Sequence, residues 1–320
     1  MRELSLEDLS REHARFDQAA LATPEIDAFC SSTAWILPAD RAFSPGRDPF
    51  LFETDAGYIA FMRSRDPRGW DVLNPLESSW LLATPLVGGD PQALFARFAR
   101  IVPQAVTMVC LSGVAPDGIL AKALQEQNRF SIHPGPPTVR HLFSLEDGLE
   151  GFLARRSAQF RSRLRRARKR FAREGFDWES FDPSLTPAAL YERIIAIERT
   201  SWKGLRRVGI DSGDMNRFYR LMVARLMADN HLRLLFLTRE GEDVAYILGG
   251  VLGATFRGLQ FSFRHDLEDY SLGNVSQSLM VEQLCQEGLR YYDLGTDIAY
   301  KRRWADYQQV TLTYLLVTNR

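Results

Sequence analysis

Cysteine is scarce. Cys30, Cys110 and Cys285 are odd in number and widely spaced along 320 residues, a pattern that excludes a disulfide framework and does not suit a zinc site. Five histidines stand without metal-ligand spacing to cysteines or carboxylates, so no metal is expected. Long apolar runs are lacking as well: none reaches the ~18 residues needed to span a bilayer, and the start Met-Arg-Glu-Leu-Ser-Leu-Glu-Asp has no signal-peptide core. Net charge is missing too, with 40 basic residues against 40 acidic ones, which argues against a surface devoted to nucleic acid while leaving room for a local patch. A soluble cytoplasmic protein with reduced thiols is expected, and nothing in the sequence sets an oligomeric state.

What is present fits a globular α/β protein of two domains. Apolar residues make up 45% and charged residues 25%, ordinary values, and the length suits two cores of about 100–150 residues each. The first 49 residues read as a helical start followed by a loop rich in Pro, Ser and Asp. Residues 50–54 and 58–62 flank Asp55-Ala56-Gly57 as a hairpin. An apolar run over 80–87 ends in Gly88-Gly89-Asp90-Pro91, where Asp90 suits an N-cap and Pro91 the first helical position. A strand over 105–111, a short helix over 120–127 and, after the breaker His133-Pro134-Gly135-Pro136-Pro137, a strand over 138–143 complete the first half.

A basic helix is expected over 151–174, with Leu153, Phe160, Leu164, Ala167 and Phe171 on one stripe. From Arg155 to Arg173 it carries ten Lys or Arg and no acidic residue. Such crowding weakens a bare helix by a few tenths of a kcal/mol per i,i+4 pair, so a bound anion and a solvated helix between domains are both open readings. No aromatic residue interleaves the basic face, so base stacking is not indicated. Further on, strands over 232–238, 244–252 and 255–264 lead through Leu272-Gly273-Asn274 into a helix, followed by residues 293–301 and a last strand over 310–317. The first turn of that helix has N–H groups without intrahelical partners and the positive end of the macrodipole, a place for a phosphorylated ligand.

Several segments in this order carry a likeness: the basic helix with Leu164-Arg165-Arg166, Glu198 followed by Ser201-Trp202-Lys203-Gly204, the Gly273 turn, and Tyr292-Asp293-Leu294-Gly295-Thr296-Asp297 with Tyr300-Lys301 and Trp304. Over about residues 150–310 the chain resembles the GNAT acyltransferase superfamily, specifically its CelD-like branch, related to FemAB-type transferases. The resemblance implies a mixed-sheet α/β fold of two tandem GNAT-like domains, 1–147 and 148–320, the first having lost its donor site. It implies acyl-coenzyme A as donor, held by Gly273, Asn274, Val275 and Ser276 with Phe263 and Arg264, although Leu272 and Asn274 depart from the small residues usual at that turn. The chemistry of acyl transfer to an amine assigns Asp293 and Glu198 as bases, Tyr300 as acid for the leaving sulfur, and Lys301 to hold negative charge. Trp202, Lys203, Asp297 and His265 are the expected contacts of a small-molecule, sugar or peptide amine. FemAB-type relatives use aminoacyl-tRNA, which the basic helix 155–173 would also suit, and a non-catalytic binding module stays open.

Overall fold

The computed structural model describes residues 1–319 and divides into two compact units, Met1–Val139 together with the chain from Val310 onward, and Arg140–Gln309. This differs from the expected 1–147 and 148–320: the last strand of the chain belongs to the first unit, because residues 312–317 pair with β6 there.

In the first unit, β1 (Arg2–Leu4) is followed by α1 (Leu6–Arg11), α2 (His13–Ala22) and α3 (Thr33–Phe43). The third helix occupies the stretch expected to be a loop. Its Pro38 is tolerated, and Ala34, Trp35, Ile36 and Leu37 are buried, so tertiary burial overrides weak propensity. Strands β2 (Asp48–Thr54) and β3 (Gly57–Arg65) form the expected hairpin, β4 (Asp71–Pro75) extends the meander, and β5 (Leu86–Val87) pairs with β3. Helix α4 (Pro91–Ile101) starts as expected, Asp90 accepting from the Ala93 N–H at 2.9 Å. It crosses to β6 (Met108–Val114), parallel to β4, and α5 (Ile119–Gln125) and β7 (Phe130–Pro134) follow. The strand β7 includes part of the Pro-Gly breaker, because its partner is the last strand of the chain.

One joint of this unit leaves no room. Gly57 has φ +133°, and a Cβ on it would stand 2.2 Å from the Val87 carbonyl oxygen. Gly57→Ala is expected to lower unfolding free energy by about 2–3 kcal/mol in urea titration, from backbone strain and overpacking together.

The second unit contains β8 (Thr138–Ser144, from Arg140 on), α6 (Gly148–Ala154), α7 (Ala158–Arg173), β9 (Phe176–Ser180), α8 (Pro187–Thr200), α9 (Trp202–Leu205), α10 (Gly213–Ala228), β10 (Leu232–Arg239), β11 (Glu242–Leu252), β12 (Thr255–Phe263), α11 (Leu272–Gln286) and β13 (Tyr291–Thr296); the last strand of the chain, β14, is Tyr307–Thr318. The expected single basic helix is two: the chain breaks before Ser157, whose hydroxyl caps α7 by accepting from the Phe160 N–H at 3.1 Å. Strand order is β9-β10-β11-β12-β13-β8, antiparallel except that β12 and β13 run parallel, as helix α11 between them requires. Both units therefore share one order, a three-strand meander, a helix, and a strand returning parallel to the third. Under α11 the core holds Phe143, Phe152, Phe256, Tyr292 and Trp304, with Tyr292 ring-to-ring at 4.7 Å against both Phe143 and Phe256.

Candidate active site

The start of α11 opens onto a groove of about 1080 Å³ whose other wall is α7 and whose end is the Tyr300–Trp304 segment. Leu164 and Phe171 turn one stripe of α7 into the core, which leaves its arginines on the remaining faces. Six arginines line the groove, and three are already engaged. Arg155 and Arg156 pair with Asp306, and Arg170 donates to the Asp269 carbonyl at 2.9 Å while lying 4.2 Å over the Tyr270 ring, which pins the turn before α11. Arg163, Arg166 and Arg303 are exposed and have no carboxylate partner among the described residues. They face a helix start that no side chain caps, since Ser271 at the N-cap sits at φ +57° and makes no capping hydrogen bond. A bare helix N-terminus and three uncompensated guanidiniums make one strongly anion-attracting surface.

A second space lies where the parallel strands part. The pairing of β12 with β13 ends at Arg257 and Asp293. Beyond it, Gly258 to Phe261 on one side and Leu294 on the other enclose a cavity of about 110 Å³, which Gln277 of α11, Ile298, Tyr300 and Lys301 complete. Tyr300 lines both spaces, so its side chain stands where the arginine groove meets the cavity. Burial pushes its hydroxyl up to about 12. The Lys301 ammonium donates to the Thr296 carbonyl at 2.9 Å; burial, with Arg257 nearby, pushes it down to about 8.

The expected base Asp293 does not face the cleft. It is 2% exposed, accepts from Arg140, from Arg257 at 2.8 Å and from the Gly295 N–H at 2.7 Å, and so serves as the anion that holds two buried guanidiniums at the point of strand parting. Glu198 is likewise interior, at 0% exposure: its oxygens accept from the Ile210 N–H at 3.2 Å and the Tyr246 hydroxyl at 2.9 Å, with the Lys203 ammonium 3.9 Å away. Lys203, pushed down to about 8 by burial, is spent on the Gln260 side chain and the Phe261 carbonyl, both at 2.7 Å. It fastens the rim of the cavity from outside. Asp297 accepts from Arg302 at 2.5 Å and meets His141 at 2.7 Å, and these partners hold its carboxyl well below the usual range.

Of the expected donor contacts, Asn274 lines the groove. Gly273 instead packs α11 onto β12, where a Cβ would stand 2.8 Å from the Phe261 ring. Val275 and Ser276 are each 1% exposed, and Ser276 bonds back to the Gly273 carbonyl at 3.2 Å, so both point inward. Phe263 packs on the core and Arg264 pairs with Asp266 at 2.7 Å. Trp202 is 43% exposed and lines neither space, and His265 faces Glu268 at 3.4 Å. Arg165 and Lys169 line a separate cleft of about 540 Å³ on the other side of α7. Sequence reasoning counted Arg163 only among the ten basic residues of the helix, and it passed over Arg303 and Gln277. The signal for the last is a carboxamide within the inward run Val275–Val281 of α11.

The first unit closes the corresponding place. Asp90 caps its helix, the Gly88 N–H is taken by the Thr23 hydroxyl at 2.7 Å, and the cavity beside Pro91 measures about 10 Å³.

The second unit is thus a meander, a helix with a bare and basic entrance, and a strand that parts from its parallel neighbour. Residues 158–302 match the family described as Acetyltransferase (GNAT) domain, and the second unit is a GNAT-superfamily domain. Among solved structures, FemX is similar at 13% identity and TM-score 0.68, with 97% of this chain and 96% of that chain covered. A conserved protein of unknown function from Bacteroides thetaiotaomicron VPI-5482 is similar at 12% identity and TM-score 0.62, over 99% of both chains. The C-terminal domain of a putative lysylphosphatidylglycerol synthetase from Agrobacterium fabrum is similar at 14% identity and TM-score 0.57, over 89% of this chain and 92% of that one. At these identities the likeness is one of fold. No curated protein matches the sequence. Among the described residues, no helix is long and apolar enough to cross a membrane, and no cluster of side chains could hold a metal ion.

Proposed function

We propose that the second unit is an N-acyltransferase that moves an acyl group from acyl-coenzyme A to an amine. The observation that carries this reading is the arginine groove, which ends at the uncapped start of α11 and meets the parted strands at Tyr300. Arg163, Arg166 and Arg303, with the first N–H groups of α11, would take the phosphates of the donor. The thioester would then lie toward the cavity, past Tyr300. The amine nitrogen bonds to the carbonyl carbon and the carbon–sulfur bond breaks. Tyr300, kept protonated by burial, gives its proton to the departing sulfur and regains one, through water, from the new amide nitrogen, so the products are an amide and a free thiol. Lys301 as ammonium holds the charge that gathers on the carbonyl oxygen.

A fluorescence titration with coenzyme A tests the donor. Replacing Arg163, Arg166 and Arg303 together by Ala is expected to weaken binding at least about tenfold, some 1.4 kcal/mol, and to flatten its salt dependence; unchanged affinity would remove the reading. A second reading, aminoacyl-tRNA as donor, is favoured by the shared fold with FemX and the length of the basic helix. It places weight on Arg165 and Lys169 as well, since a polyanion would extend over the outer face of α7, and salt-sensitive tRNA binding lost on their neutralisation would support it.

A further inference from the structure

The cleft on the outer side of α7 shares only Leu164 with the lining of the donor groove and is built differently. Leu149, Phe152 and Leu153, at i, i+3 and i+4 of α6, form one apolar wall, and Leu164 with Ala172 of α7 faces them. The hydroxyl of Ser278 donates to the Val275 carbonyl at 2.9 Å, so its proton is spent inside α11. The rim has the opposite character. Arg165 and Lys169, at i and i+4, are exposed and have no carboxylate partner among the described residues; Arg161 turns to the Arg156 carbonyl at 2.5 Å, and Arg168 is matched by Glu282 at 2.9 Å. Two like charges one turn apart repel, and an anion between them removes that cost. No carboxylate is among the described residues lining the cleft.

An occupant that satisfies both parts has a hydrocarbon body and an anionic end. Nucleic acid satisfies the rim alone, since Phe152 at 1% exposure leaves no ring for a base to stack on. A bilayer surface also meets the rim alone: Leu149, Phe152, Leu153 and Leu164 are buried or half-buried while the cations stand exposed, the reverse of an apolar face that enters lipid. A partner protein needs a far larger contact than one cleft. A volume of about 540 Å³ is that of a small-molecule site. At about 30 Å³ per water-sized group it takes a chain of about twelve carbons and its head group with space left over.

We infer that the cleft between α6 and α7 binds a free single-chain carboxylate amphiphile, a fatty acid of about twelve carbons, with its chain on Leu149, Phe152, Leu153 and Leu164 and its head at Arg165 and Lys169. This site is separate from the donor groove and does not depend on what the groove binds.

Calorimetric titration of the full chain with laurate, kept below micelle-forming concentrations, tests this. Laurate is expected to bind at least about tenfold tighter than octanoate, because each buried methylene is worth about fourfold in affinity. It is also expected to bind at least about tenfold tighter than dodecyltrimethylammonium, which has the same tail and the opposite charge. Ala172→Phe fills the cleft from an exposed helix position and is expected to weaken laurate at least about tenfold. The pair Arg165→Glu and Lys169→Glu is expected to do the same, whereas Arg163→Ala with Arg166→Ala, on the donor side of α7, leaves laurate binding as it was. No binding of laurate, or equal binding of laurate and the ammonium, would overturn the inference. So would laurate binding that survives Ala172→Phe and is lost with Arg163 and Arg166, which would put the chain in the donor groove. Anionic vesicles or tRNA held at Arg165 and Lys169 by a protein that ignores laurate would overturn it too, in favour of a membrane or a polyanion. Should Ala172→Phe fail to fold in a thermal melt, the Arg165→Glu and Lys169→Glu pair, at exposed positions, locates the site.

Discussion

Asp293→Asn is expected to remove about 3–5 kcal/mol of stability. The reason is that Arg140 and Arg257 are 3% exposed each and rely on this carboxylate at the end of the β12–β13 pairing. The substitution keeps the shape and removes the anion, so two guanidiniums lose the carboxylate they share in an interior that solvates them poorly. Urea unfolding reads the loss directly. A catalytic base would behave differently: Asn in its place would lower turnover and leave the unfolding midpoint where it was. That result would return Asp293 to the chemistry.

Lys301→Met is expected to lower kcat about 10²–10³-fold, the range for removal of a group that stabilises an oxyanion, with the donor still bound. Lys301→Arg should recover part of the loss. The pH dependence carries a sign that identifies the group. The ammonium is the working form, so kcat/KM of the unaltered enzyme falls as pH rises through about 8, and the fall is missing from the residual activity of Lys301→Met. Stability moves the other way. The folded-state value of about 8 lies below the usual 10.5, so between these values the unfolded chain binds more protons and stability rises with pH. Lys203 shifts in the same direction, which is why the melt is compared with Lys301→Met rather than read alone. Activity that rises through pH 8 would make the neutral amine of Lys301 the working form and overturn the assignment.

Much of the fold was legible because it is local. Asp90-Pro91 and the hairpin about Asp55-Ala56-Gly57 each state their structure within a few residues. What could not be read depends on partners distant in sequence. Thr33–Phe43 becomes a helix because the core covers it, and Phe130–Pro134 becomes a strand because residues 314–318 come back to pair with it. The ends of the units were misjudged for that reason too.

The site divides along the same line. Tyr300, Lys301 and Asn274 do line the spaces where acyl transfer would take place. Asp293 and Glu198 do not, since a carboxylate in a motif reads alike whether it meets a substrate or a buried arginine. Arg163 and Arg166 differ from Arg165 and Lys169 only in the face of α7 they occupy, and that face is set by Leu164 and Phe171 meeting the core. Gln277 was silent because a single amide inside a buried helix has no pattern; only the cavity opposite gives it meaning.

The most direct measurement is a crystal structure of the full chain with coenzyme A. The phosphates are expected against residues 271–274, within reach of Arg163, Arg166 and Arg303, with the thiol end directed past Tyr300 toward Lys301. Phosphates bound instead on the Arg165 and Lys169 side of α7, or a groove that stays empty at saturating ligand, would contradict the assignment of this groove to the donor.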